Sequence, residues 1–126
     1  MKRALLFLAA MTAAYAHHSF GATYDVSKET SLKGTIVQVS LRSPHSFFFV
    51  EVSAANAEPQ RWSIEGASAT QFAQQGVSRD AFKVGDAVEV IYNPARSASS
   101  LRGRLVKITR PSDGRTWGNR LGEAVN

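Results

Sequence analysis

Between residues 31 and 110 apolar side chains recur at every second position in short runs, the period of half-buried strands. The first run, Ser31 to Leu41, sets Leu32, Gly34 and Ile36 on one face and then Val37, Val39 and Leu41 on the other. A bulge near Gly34 is the expected cause of that phase shift, because a glycine inside a strand marks a bulge or a close bend. The second run, Ser46 to Val52, alternates Phe48, Val50 and Val52 with Phe47, Phe49 and Glu51. The third, Gln60 to Glu65, alternates Trp62 and Ile64 with Arg61, Ser63 and Glu65. A hairpin centred near Asn56 would set Glu51 opposite Arg61 as a salt bridge, Phe49 opposite Ser63 and Phe47 opposite Glu65, with His45 near Ala67. From Ser68 to Gln75 the β-branched residues give way to Ala, Gln and Phe, and Gly76 follows, which predicts a short helix with a glycine stop. The pattern extends to a second helical turn over Ser78 to Phe82. Val84-Gly85-Asp86 then launches a strand over Ala87 to Tyr92, and Leu101 to Thr109 forms the last.

Three strands, a helix and two strands predict an all-β domain with one short helix, folded as a five-stranded Greek-key barrel of the oligonucleotide/oligosaccharide-binding (OB) type. The domain is expected over residues 31–110, preceded by a segment (17–30) that docks on it. A Gly-, Arg- and Asp-rich tail (111–126) follows and is expected to be flexible.

The opening residues follow a different rule. Met1-Lys2-Arg3 is positive, Ala4 to Ala14 is almost wholly apolar, and Ala14-Tyr15-Ala16 offers small residues at the minus-three and minus-one positions of a cleavage site. Residues 1–16 therefore read as a secretory signal, too short for the roughly 20 apolar residues of a membrane span, and the protein is expected in the periplasm or secreted, a monomer with no membrane span after cleavage. Of the 15 Lys and Arg, two leave with the leader, so 13 face 10 Asp and Glu in the mature chain and the surplus falls from +5 to +3. That surplus, in an exported protein, argues against a nucleic-acid partner. The absence of cysteine excludes disulfides, thiolate metal sites and cysteine nucleophiles.

Any metal chemistry must then come from three histidines and the carboxylates. Cleavage after Ala16 makes His17 the first residue, where its α-amine and ring Nδ1 chelate one ion together, and a distant imidazole completes a three-nitrogen site. Amine and imidazole are donors that Cu²⁺ favours above other divalent ions, and an α-amine titrating near pH ~8 gives up its proton at little cost. His45 is the natural distant partner and His18 the alternative. Glu65, on the His45 side of the hairpin, is an axial ligand or an acceptor that fixes the His45 ring. Tyr24 and Asp25 are close enough in sequence to join such a site.

A second class of function is a non-catalytic module that binds an envelope ligand or partner without metal, using Phe47, Phe49 and Arg104 on the face where barrels of this type take their ligands. Phe48 and Trp62 point inward by alternation and belong to the core. Arg96, Arg102, Arg104, Lys107, Arg110 and Arg115 form a basic cluster around the last strand, expected as a solvated face. No nucleophile elbow, phosphate-cradling loop or paired carboxylates support an enzyme.

His17-His18-Ser19-Phe20 after a leader, Tyr24-Asp25, Lys33-Gly34-Thr35-Ile36-Val37, Pro44-His45, Trp62-Ser63-Ile64-Glu65-Gly66 and Lys83-Val84-Gly85-Asp86 together resemble a family of small exported bacterial proteins of unknown function, over about residues 17–110. Mature chains of that family begin His-His-Ser-Phe and usually carry Trp-x-Asn-Pro-His before the second strand, where this chain has Leu41-Arg42-Ser43-Pro44-His45. The resemblance implies an exported, compact β-domain; the metal reading comes from the residues alone.

Overall fold

A computed structural model of the chain describes residues 19–118, with side chains described from residue 21 onward. In chain order the elements are α1 (Ser19–Thr23), β1 (Thr30–Ser40), β2 (Ser46–Val52), β3 (Gln60–Gly66), α2 (Ala69–Gln74), β4 (Ala87–Pro94), β5 (Arg102–Arg110) and β6 (Arg115–Gly118). The strands hydrogen-bond in the order β3-β2-β1-β4-β5-β6, all neighbours antiparallel. A parallel pairing of β3 with β5, through Ser63–Arg102, Ile64–Gly103 and Glu65–Arg104, closes the first five strands into the expected barrel.

Alternation builds the interior. Ile36, Val50, Ile64, Val90 and Ile108, one from each barrel strand, are fully buried, and Phe48 meets Phe72 and Phe82 edge to face. Helix α2 plugs one end: Ser68 caps it by accepting from the Gln71 amide while Gln71 Oε1 accepts from the Ser68 amide, the reciprocal box that satisfies two otherwise orphan donors. Gly76, at φ 79°, ends it. Residues 78–82 form a single turn, closed by Ala81 N–H to Ser78 O, where the sequence pattern extended a helix.

Three sequence expectations are corrected. The extra residue of β1 is Val37, between the pairs Ile36–Val50 and Gln38–Phe49, and not Gly34. Gly34 has another cause: a Cβ there would sit 2.3 Å from the Glu51 carbonyl oxygen, so the β1–β2 approach demands its absence. Nor is the chain loose from Pro111 onward. As far as Gly118 it turns back as β6, carrying Trp117 into the core, fully buried, stacked on Phe72 at 4.0 Å and donating from Nε1 to Gln75 Oε1 at 2.8 Å. Aromatic burial of this size contributes about 2–3 kcal/mol, which is why a polar-looking tail is recruited. Residues 119–126 of the expected tail lie outside the described residues.

Of the basic cluster, Arg96 and Arg102 are exposed, as expected, while Arg104, Lys107, Arg110 and Arg115 are partly buried, and three of the six are engaged as follows. Arg110 is held by Asp86 at 2.7 Å and Asp113 at 2.6 Å and donates to Ala81 O; Arg96 donates to Gly21 O; Arg102 approaches Glu65.

Candidate functional site

The segment before β1 docks by backbone and side chain together. Asp25 N–H donates to Pro94 O, Arg96 N–H to Thr23 O and Asn93 Nδ2 to Lys28 O, all at 2.8–2.9 Å, and Tyr24 bridges Ala95. Tyr24 is 1% exposed. A single anchor of this size does not offset the ordering of several residues at about 1–2 kcal/mol each, and these backbone bonds supply the difference. The side chain of Phe20, the other large apolar residue of this segment, lies outside the described residues.

The Tyr24 hydroxyl crosses to β3 and donates to Glu65 Oε2 at 2.5 Å. Glu65 stands on the outer face of the barrel, opposite Phe47 on β2 and Arg104 on β5, yet is only 8% exposed because the docked segment covers it. Its other oxygen, Oε1, lies 2.7 Å from His45 Nδ1, and Arg102 approaches Oε2 at 3.7 Å. A carboxylate taken out of water needs donors on both oxygens; Tyr24 and His45 provide one each, and the Arg102 charge stands beside them. Burial, and then the hydrogen bond to Glu65, push the Tyr24 hydroxyl well above the ordinary tyrosine range, so Tyr24 stays a proton donor at every physiological pH.

His45 is delivered by the loop between β1 and β2. Ser46 is fully buried, and its hydroxyl accepts from Arg42 N–H and donates to Arg42 O, pinning the loop across a cis Ser43–Pro44 bond. Ser46 N–H to Ala67 O and Ala69 N–H to Arg42 O tie it to the end of β3 and to α2. The His45 side chain is one-third exposed, at 32%. A neutral imidazole whose Nδ1–H donates to a carboxylate carries its lone pair on Nε2, the nitrogen that binds a metal or takes a proton.

The hairpin register is the one expected: Phe47 opposite Glu65, Phe49 opposite Ser63 and Glu51 opposite Arg61, turning through Asn56 at φ 59°. One consequence differs. Arg61 makes no salt bridge to Glu51; it lies over the Phe49 ring at 4.8 Å and donates to Gln38 Oε1 on β1. Phe47 and Phe49 are half-buried and stacked, 6.2 Å apart.

Of the sequence-predicted site residues, the structure brings His45, Glu65 and Tyr24 together. Both Glu65 oxygens are engaged by side chains, which suits the carboxylate to holding the His45 ring rather than to ligating an ion. Asp25 instead binds Ser27 and Lys28. His17 and His18 lie outside the described residues, and among the described residues no three His, Asp or Glu gather as a metal-holding group. Arg102 and Ser46 are the members that sequence reasoning missed. The parallel β3–β5 closure, implied by the expected barrel, was the signal that would have set Arg102 beside Ser63 and near Glu65.

The chain belongs to a family of unknown function, DUF6152, whose model matches residues 5–103. No curated protein and no solved structure matches it.

Proposed function

We propose that this member of a family of unknown function is an exported, monomeric barrel protein of the periplasm or the extracellular space that binds a copper ion through His17, as the mature first residue, and His45. Its role is metal handling rather than turnover. The observation that carries the reading is the His45 Nδ1 contact with the buried Glu65, the arrangement by which proteins fix the tautomer and aim of a metal-binding imidazole. A second observation supports it: Tyr24, seven residues after His17, reaches the same carboxylate as His45. Seven residues of chain span at most ~25 Å, so chain length permits the mature terminus to return to His45. Glu65 acts as a positioning residue, Tyr24 and Arg102 hold it, and His18 is the alternative second imidazole.

Titration of Cu²⁺ into protein shown by terminal sequencing to begin at His17, with paramagnetic resonance reading nitrogen ligation, tests the proposal. Affinity should collapse in His45→Ala and in a chain extended by one residue before His17, which blocks the α-amine and leaves every side chain intact. Glu65→Gln should weaken binding by roughly 10–100-fold. Unchanged affinity in the extended chain overturns the reading.

A further inference from the structure

Residues 17–126 contain neither cysteine nor methionine, so the chain after the leader offers a metal ion only nitrogen and oxygen donors. Thiolate and thioether sulfur are the ligands that suit Cu⁺, whereas amine and imidazole suit Cu²⁺. Donor type is one contribution. The structure adds another by setting two opposite charges behind the His45 ring. Glu65 Oε1 lies 2.7 Å from His45 Nδ1, and the residue is only 8% exposed, so water and salt screen its negative charge weakly. Arg102 stands beside the other oxygen, 3.7 Å from Oε2, with its guanidinium 6.0 Å from the centre of the Tyr24 ring. Its side chain is 49% exposed, and solvent weakens its counter-charge accordingly. Glu65 comes from β3 and Arg102 from the adjoining start of β5, so each charge can be removed without touching the other strand.

We infer that the site discriminates between the oxidation states of copper, holding Cu²⁺ in preference to Cu⁺, and that the Glu65 charge sets the margin while Arg102 narrows it. The inference rests on the copper reading above and adds a property that nitrogen ligation by itself does not fix. Cu²⁺ carries one unit of charge more than Cu⁺. A negative charge behind the ring therefore favours Cu²⁺ more than Cu⁺, and a positive charge there opposes it more. The carboxylate also acts through the ring: by accepting from Nδ1–H it makes Nε2 a stronger donor, which favours the more highly charged ion again. Tyr24 holds Oε2 and the docked segment covers the carboxylate, so this charge is fixed in place behind His45 and shielded from water.

The test measures two affinities of protein that begins at His17, one for Cu²⁺ in air and one for Cu⁺ without oxygen, each by competition with a chelator specific to that oxidation state. Wild type should hold Cu²⁺ more tightly than Cu⁺. Glu65→Gln keeps an acceptor for the His45 Nδ1–H and deletes the charge, and should lower the ratio of the Cu²⁺ to the Cu⁺ affinity roughly tenfold. Arg102→Gln deletes the opposing, better screened charge and should raise the ratio roughly threefold. Opposite signs are the signature of charge, since a merely structural loss at either position would weaken the site in one direction only. If Glu65→Gln does not fold, the sign of the Arg102→Gln shift decides alone, because that side chain is half exposed. Absence of Cu²⁺ binding in wild type overturns the copper reading and this inference with it. Cu²⁺ binding no tighter than Cu⁺ binding, or a ratio moved the same way by both variants or left unmoved by either, overturns this inference and leaves the copper reading standing.

Discussion

Two regions of this molecule are equally buried for opposite reasons. Inside the barrel, Ile36, Val50, Ile64, Val90 and Ile108 exclude water with nothing but aliphatic surface. On the flank, Tyr24 and Glu65 are buried beneath a docked segment, and every polar atom there depends on a named partner: Tyr24 on Glu65, Glu65 on His45 and Arg102, Asn93 on Lys28 O. An aliphatic interior tolerates repacking and is insured by many small contacts. A buried polar cluster loses disproportionately when one member goes, since the remainder stays desolvated without its bond. The barrel interior therefore tolerates repacking, and the flank does not.

The largest expected effect lies in the interior. Trp117→Ala removes a fully buried indole stacked on Phe72 and should cost about 3–5 kcal/mol in denaturant unfolding. A cost within 0.5 kcal/mol, the size usual for surface positions, would mean that β6 is an ornament on the five-stranded barrel and would erase the distinction between an essential interior and a peripheral strand. Gly103→Ala ranks next, because its Cβ would lie 2.3 Å from Tyr92 Cδ2, itself packed on Trp62 at 5.3 Å. Overpacking of this kind costs about 1–3 kcal/mol, and the thermal midpoint should fall accordingly.

On the flank, Tyr24→Phe keeps the ring and deletes only the donor to Glu65. The expected loss is about 1–3 kcal/mol at neutral pH, the penalty of leaving a buried carboxylate short of a partner. It also has a pH signature. Unfolded tyrosine ionises near ~10, whereas burial and Glu65 hold the folded Tyr24 proton to higher pH, so the folded state binds more protons and its advantage declines as pH rises past ~10. Urea unfolding of wild type and Tyr24→Phe should diverge most at neutral pH and converge above about pH 10; a constant gap would show that the hydroxyl's proton contributes nothing.

The smallest effect belongs to the β5–β6 turn. Hydrogen bonds from the Arg110 guanidinium and then the Arg115 amide hold the Asp113 carboxyl down at about 2, below its ordinary value, so its contribution is present above about pH 4 and lost as pH falls through 2. Asp113→Asn should lower the thermal midpoint slightly at neutral pH and leave it unchanged in strong acid. A shift that persists in acid would assign the effect to turn geometry and not to charge.

The residues that were legible in advance share a physical cause. Period-two alternation in Ser46 to Val52 and Gln60 to Glu65 admits one register that buries Phe48 and Ile64 together, because a one-residue slip would turn both outward. That register sets His45 near Ala67, on the same side of the hairpin as Glu65. The helix was equally readable, since Ser68 and Gln71 cap it through contacts three residues apart.

What the linear chain could not decide were contests between partners distant in sequence. Arg61 faces Glu51 in the register yet lies on Phe49, its diagonal neighbour on β2, and on Gln38, which pairs with Phe49 from β1. Trp117 sits in a Gly-, Arg- and Asp-rich stretch that reads as tail, and only the gap beside Phe72 left by the barrel and α2 makes its burial favourable. Tyr24 and Glu65 stand 41 residues apart. Local pattern fixes which face a side chain takes, through the geometry of the strand; which atom it finally meets depends on how the sheet closes, and only the parallel contact of β3 with β5 and the docking of the segment against β4 bring those atoms together.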